Sequence, residues 1–218
     1  MNEHLAALQA WVAKEGLDLA YISDPININY YTGFFQDPEE RITALIVTPD
    51  NDPFLFTPQL TIEEVKKAGW PYQVFGYLDH EDPFAIMANH IKAVTANPTK
   101  WAIEKDNLAV FKFEALMKQF PDATFPVDAS RFIENQRLIK TPSEIKQMEA
   151  AGAQADRAFQ AGFNAIKAGA TEQEVAAEID YAMMKEGVMH MSFGTIVQAG
   201  VDAANPMTKP MVKVIAIT

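Results

Sequence analysis

The sequence predicts an α/β protein in two parts: a mixed β-sheet flanked by helices, followed by an incomplete α+β domain. Helical and strand patterns alternate over residues 4–127, which is typical of a sheet covered by helices. From Thr141 onward the pattern changes to long amphipathic helix, with a later strand-like run at 195–198 that begins with three β-branched residues. Because helices with a single apolar face need a surface to pack against, we expect this later strand to begin a second sheet.

Residues at the helix starts and turns justify the elements of the first part. Asp24 is an N-cap residue, and Pro25 stands in the first turn, where a missing amide costs nothing. Thr61 and Glu64 have the spacing of a capping box. Residues 49–53 are turn formers that join two strands as a hairpin. The predicted order is helix 4–15, strand 17–23, helix from 24, strands 43–48 and 54–57, helix from 61, strand 72–75, helix 83–94, strand 100–103, helix 108–120 and strand 124–127.

Two further capping boxes begin the helices of the second part. Thr141 and Glu144 form the first box, and Thr171 and Glu174 repeat it. Gly187 is expected to end the second helix. The apolar stripe of the first helix recurs in steps of three and four residues, and it contains Ile145, Met148, Ala151, Ala155, Phe159, Phe163 and Ile166.

The end of the sequence predicts two strands. The run at 195–198 is followed by Gly200, for which we expect a positive φ in a turn. Residues 211–217 have a strand-like composition, and we expect them to pair beside 195–198.

Composition excludes several classes of function. The formal charge of −11 disfavours nucleic acid, whose phosphates are bound by clustered Lys and Arg. The absence of cysteine rules out disulfides and thiol catalysis. No apolar run approaches the roughly 20 residues of a membrane span, and residues 1–15 have helical spacing rather than the pattern of a signal peptide. We therefore expect a soluble, cytoplasmic protein with no nucleic-acid or membrane partner.

Four motifs in the same order resemble one enzyme family. They are Tyr-Tyr-Thr-Gly-Phe at 30–34, Arg-Leu-Ile-Lys-Thr-Pro-Ser-Glu-Ile at 137–145, Gly-Ala-Thr-Glu at 169–172, and Met-Ser-Phe-Gly-Thr-Ile-Val-Gln-Ala-Gly-Val-Asp-Ala-Ala-Asn-Pro at 191–206. The chain is similar in these residues to the prolidase (Xaa-Pro dipeptidase) and aminopeptidase P family. The resemblance implies a creatinase-type amino-terminal domain at 1–127, a linker at 128–142 and a truncated start of the pita-bread catalytic domain at 143–218.

The same resemblance implies hydrolysis of the peptide bond before a proline. In the family, a water bridges two divalent ions, Mn²⁺ or another pair, which lower its pKa toward neutrality. Two Asp, two Glu and a His hold those ions, and all are expected beyond Pro206. This sequence has no Asp or Glu after Asp202, and Met207 stands where the family normally has His. The sequence therefore predicts no catalytic residue, no metal ligand and no bound cofactor in this chain, and an isolated chain without peptidase activity.

The loop at 35–41 is the first candidate substrate site. Asp37, Glu40 and Arg41 match a family loop that reaches across a dimer toward the partner's cleft, where a guanidinium suits a dipeptide's carboxylate. Glu39 departs from the usual His, which would shift substrate preference. The alternative is a solvated acidic loop.

His190 and Phe193 are candidate cleft-lining residues, because His190 lies just before the 191–206 motif and Phe193 lies within it. For His190 the alternative is a residue at a strand entry. For Phe193 it is a place in a buried strand. Both alternatives are structural.

Two functions remain open at the level of sequence. One is the amino-terminal part of a homodimeric dipeptidase acting on proline-containing dipeptides. The other is a non-enzymatic, prolidase-like module for dimerisation or protein binding.

Overall fold

Residues 2–204 are described in the computed structural model, and they form two compact units. The first contains the described residues up to Ile139, and the second begins at Lys140. The segment 128–142, assigned above to a linker, holds the helix Ala129–Leu138. Ala129 and Ile133 of that helix are buried in the core of the first unit, so this unit extends beyond residue 127. Asp128 caps the helix by accepting from the Ser130 amide at 3.0 Å.

The first unit alternates strands and helices in the predicted order, with the helix at 129–138 added. Its elements are α1 (Glu3–Lys14), β1 (Leu19–Ile22), α2 (Pro25–Thr32), β2 (Ala44–Val47), β3 (Phe54–Pro58), a 3-10 helix (Gln59–Thr61), α3 (Ile62–Lys67), β4 (Val74–Tyr77), α4 (Pro83–Val94), β5 (Lys100–Ile103), α5 (Val110–Gln119), β6 (Thr124–Asp128) and α6 (Ala129–Leu138).

The strands form one mixed, six-stranded sheet in the order β4-β3-β2-β1-β5-β6. The hairpin of β2 and β3 is antiparallel, as predicted, and β2 also pairs antiparallel with β1. The pairs β1–β5, β5–β6 and β3–β4 are parallel. The carboxyl ends of β1 and β5 therefore lie side by side.

Helices cover both faces of this sheet, so its central strands are buried on both sides. Side chains of β1 alternate between two cores: Ala20 and Ile22 lie with helices α1, α2, α3 and α6, while Leu19 and Tyr21 lie with α4 and α5. This two-sided burial explains why strands such as 44–47 are continuously hydrophobic. The predicted fold class is confirmed.

Thr61 does not form the predicted capping box. Its hydroxyl donates to the Pro58 carbonyl at 3.0 Å and lies 2.7 Å from the Thr57 hydroxyl, and it makes no cap hydrogen bond to α3. The 3-10 turn that precedes α3 directs this hydroxyl into the protein, so the capping spacing is present without the capping geometry.

Tyr21 gives a stability prediction. Its side chain is 0% exposed, and its hydroxyl has no hydrogen-bond partner among the described residues. Because a buried unpaired hydroxyl costs about 1–3 kcal/mol, Tyr21→Phe is expected to raise the free energy of unfolding by about 1 kcal/mol. Tyr31→Phe is the matched control, since the Tyr31 hydroxyl donates to Gln136 Oε1 at 2.5 Å; that variant should be destabilised. Urea unfolding followed by tryptophan fluorescence tests both, and a destabilised Tyr21→Phe would contradict the prediction.

The second unit consists of α7 (Pro142–Ala165), α8 (Glu172–Lys185) and a 3-10 helix (Gly200–Ala204). Both predicted capping boxes are present, at Thr141 and at Thr171. Helices α7 and α8 approach closely at Gly162, where a Cβ atom would stand 2.7 Å from the Ile179 side chain. No helix in residues 2–204 is long and apolar enough to cross a membrane.

The apolar stripe of α7 lies on a different side from its contact with α8. Ala158 and Gly162 are buried, whereas Phe159 of the stripe is 75% exposed, and Phe163 is also exposed. The sequence predicted a sheet against this stripe, but in the described residues no β-sheet packs against it.

Residues 195–198 have no regular secondary structure, so they do not pair as the predicted strand in the described part of the chain. Two carboxylates of α8 bind this segment instead. The Ala199 amide donates to Glu172 Oε1 at 2.7 Å, and the Thr195 hydroxyl donates to Asp180. Gly200 has the predicted positive φ of 63°. The strand predicted at 211–217, like Pro206 and Met207, lies outside the described residues.

Candidate functional site

The loop between α2 and β2 is a fixed turn. Asp37 Oδ1 accepts from the Glu39 amide at 3.1 Å, and the Arg41 amide donates to the Pro38 carbonyl at 2.9 Å. Glu39 has a φ of 51°, a left-handed conformation that is uncommon for residues with a Cβ. The Asp37 carboxylate therefore shapes the turn, which is a structural role.

Arg41 binds an acidic partner within its own unit. Its Nε donates to Asp79 Oδ1 at 2.8 Å and its Nη2 to Asp79 Oδ2 at 3.0 Å, which is a two-pronged pair. Hydrogen bonding and charge from Arg41 lower the pKa of Asp79. The Glu40 carboxylate lies 3.7 Å from Arg41 Nη1. The guanidinium fork that the sequence assigned to a substrate carboxylate is thus occupied by Asp79.

Tyr77 and Lys112 hold the end of the same loop. The Ile42 amide donates to the Tyr77 hydroxyl at 2.7 Å, and Lys112 Nζ donates to the Arg41 carbonyl at 3.2 Å. Burial raises the pKa of Tyr77 and lowers that of Lys112. Sequence reasoning missed these residues and Asp79, because no local pattern links positions that lie tens of residues apart.

A cleft of about 590 Å³ opens beside this loop. Charged and aromatic side chains line it together, which suits a ligand that has both polar and apolar parts. The lining residues are Glu40, Arg41, Ile42, Tyr77, Asp79, Glu81, Asp82, Pro83, Phe84, Phe111, Lys112, Ala115, Lys118 and Gln119.

His190 and Phe193 belong to the second unit, on the segment that follows α8. Both are exposed, and Phe193 is 70% exposed rather than buried in a strand. The structure brings Glu40 and Arg41 together in one cleft and leaves the cleft-lining role of His190 and Phe193 as a prediction.

The described residues do not fit a pair of divalent ions. Such a centre needs several carboxylate and imidazole ligands grouped within a few ångströms. In residues 2–204, no three His, Asp or Glu side chains form a group that could hold a metal ion. No step of metal-assisted hydrolysis can therefore be assigned to side chains of this part of the chain.

The two units, a helix-flanked mixed sheet and the helical unit that follows it in sequence, each match the model of a known family. The family model of the creatinase/prolidase N-terminal domain matches residues 4–139. The model of metallopeptidase family M24 matches residues 146–216. The chain belongs to the creatinase/prolidase amino-terminal-domain family, as the sequence motifs predicted.

Individual relatives extend this result. The chain is 50% identical over 208 residues to an Xaa-Pro dipeptidase of Lactobacillus helveticus, a match that covers 95% of this chain and 56% of the relative. It is 45% identical to the solved amino-terminal domain of an Xaa-Pro dipeptidase from Lactobacillus brevis (TM-score 0.59, 61% of this chain, 98% of that one). The prolidase of Pyrococcus horikoshii OT3 matches at 27% identity (TM-score 0.82, 98% of this chain, 57% of that one). The chain thus spans little more than half the length of the curated relatives it matches.

Proposed function

We propose that this chain is the amino-terminal portion of a metal-dependent Xaa-Pro dipeptidase. The observation that carries the proposal is the 50% identity to the Lactobacillus helveticus enzyme across 95% of the chain. The fold supports it, because the first unit and the M24-like second unit occur in the order that the family requires. The substrate class is a dipeptide with a carboxy-terminal proline.

The chain's own contribution is a scaffold rather than the metal chemistry. In its first unit, hydrogen bonds of Asp79, Tyr77 and Lys112 with Arg41 and Ile42 hold the end of the loop at 35–41. In a complete enzyme, Mn²⁺ or another divalent pair would activate the attacking water, with ligands from outside residues 2–204. We further propose a cytoplasmic homodimer, in which this loop faces the partner's cleft.

The isolated 218-residue chain is expected to release no proline from Leu-Pro in excess Mn²⁺ and to bind less than one metal ion per chain. The reason is that no group of side chains in residues 2–204 could hold a metal ion, together with a sequence that has no Asp, Glu or His after Asp202. Proline release and bound metal should be measured on one sample. Turnover with about two metals per chain would contradict this prediction.

A further inference from the structure

The acidic residues of the 590 Å³ cleft are mostly engaged in hydrogen bonds within the protein. Asp79 is paired with Arg41. Asp82 caps α4 by accepting from the amides of Phe84 and Ala85 at 3.0 and 3.1 Å, and Glu81 accepts from the Leu78 amide at 2.7 Å. Three of the four carboxylates that line the cleft thus each accept hydrogen bonds within the protein, while they keep their negative charge.

The other charged side chains of the cleft include both signs, on Lys112, Lys118 and Glu40. Lys112 Nζ donates one hydrogen bond, to the Arg41 carbonyl, and so keeps two donor positions. Lys118 lies on the same helix, and its ammonium has no hydrogen-bond or ion-pair partner in residues 2–204. Glu40 has only a 3.7 Å contact with Arg41. The cleft therefore offers two ammonium groups and one weakly engaged carboxylate.

The same cleft has an apolar surface. Phe111 is 74% exposed at the start of α5, and its ring meets that of Phe84 edge-on, with ring centroids 6.4 Å apart. Ala115 continues this surface one turn further along the helix. An exposed aromatic ring inside a charged cleft suits the apolar part of a small ligand.

We propose that this cleft binds short zwitterionic peptides with an apolar side chain or ring. The ligand's carboxylate lies against Lys112 and Lys118, its ammonium group faces Glu40, and its apolar part packs on Phe111. The site goes beyond the proposed hydrolysis, because its residues all belong to the first unit and binding requires neither metal nor turnover. Failure of binding and failure of the dipeptidase proposal are thus distinguishable.

The first test titrates Leu-Pro into the 218-residue chain by isothermal calorimetry, with NMR shift changes to locate the site. We expect a dissociation constant of about 1 mM, since contacts between solvated charges are weak. Leu-Pro amide and N-acetyl-Leu-Pro, which lack one charge each, should bind at least about tenfold more weakly. Comparing the binding of free proline, which lacks the second residue, with that of Leu-Pro distinguishes a dipeptide site from an amino-acid site. No saturable binding up to about 10 mM, or equal binding of the amide, overturns the proposal.

The second test changes the protein. Lys118→Met and Glu40→Gln remove one charge each from exposed positions, and each should weaken Leu-Pro binding about tenfold. Lys146→Met, on the exposed side of α7 and outside the cleft, is the matched control and should bind as the natural chain does. Binding that falls equally in the control, or that survives both cleft substitutions, overturns the assignment.

Discussion

Replacing Glu104 by alanine is expected to lower the free energy of unfolding of the first unit by about 3 kcal/mol. Glu104 follows β5 and is 1% exposed. Its carboxylate accepts from the Ser23 and Asp24 amides at 2.6 and 2.8 Å and from Asn27 Nδ2 at 2.7 Å. Alanine would leave these three donors, at the start of α2, without their acceptor.

The matched variant Glu104→Gln keeps the volume and one acceptor oxygen, so we expect a loss of about 1 kcal/mol. The substitution also removes the ionisable carboxyl group at this position. Burial raises the pKa of Glu104 above its ordinary value of 4.5, so the folded chain binds this proton more tightly than the unfolded chain. The resulting stabilisation is full below pH 4.5 and is lost as the pH rises through the folded-state pKa. As the pH rises from 4.5 to the folded-state pKa of Glu104, the natural chain should therefore lose stability relative to the Gln variant.

Tryptophan fluorescence is the appropriate measurement, because all three tryptophans lie at positions 11, 70 and 101, within the first unit. Denaturant unfolding of the natural chain and both variants should be repeated between pH 4 and pH 8. Equal stability of the Ala and Gln variants would contradict the role given to the carboxylate. So would a difference between the natural chain and the Gln variant that does not change with pH.

Local signals predicted the fold well wherever geometry is decided within one turn of helix. Thr141 and Thr171 form capping boxes because their hydroxyls lie within reach of the Glu144 and Glu174 amides, at 3.3 and 3.1 Å. Thr61 has the same spacing, but a 3-10 turn brings its hydroxyl to Thr57. Helix α6 was missed for a related reason: its residues were assigned to a linker, and the burial of Ile133 comes from the sheet and not from its neighbours in sequence.

The candidate loop shows why the site could be predicted only in part. The motif located Asp37, Glu40 and Arg41 on one loop, and the structure places Glu40 and Arg41 at one cleft. The motif could not reveal that Arg41 pairs with Asp79, because pairing across the sheet depends on the register of distant strands. Residues 195–198 illustrate the same limit. Their composition favours a strand, but a strand also needs a neighbouring strand, and in the described residues α8 supplies carboxylate acceptors instead.

Supplying the unmatched part of a relative is expected to produce dipeptidase activity. The chimera joins residues 1–204 of this chain to the portion of the Lactobacillus helveticus Xaa-Pro dipeptidase that follows the residue aligned with Ala204. With Mn²⁺, it should release proline from Leu-Pro at least about a thousandfold faster than the 218-residue chain, because metal-activated water lowers the barrier by many kcal/mol. A junction after Ala204 keeps the hydrogen bonds of Glu172 with Ala199 and of Asp180 with Thr195 intact.

The controls of this experiment separate the two functions that the sequence left open. Chelation of the metal should abolish proline release without unfolding the first unit, whose described residues show no metal-ligand group. A chimera that folds, binds about two metal ions and still fails to hydrolyse Leu-Pro would contradict the dipeptidase proposal. That result would favour a non-enzymatic module, because the catalytic part would then be present and the defect would lie in residues 1–204. Activity that disappears on chelation would instead establish that this chain provides a competent amino-terminal portion for the enzyme.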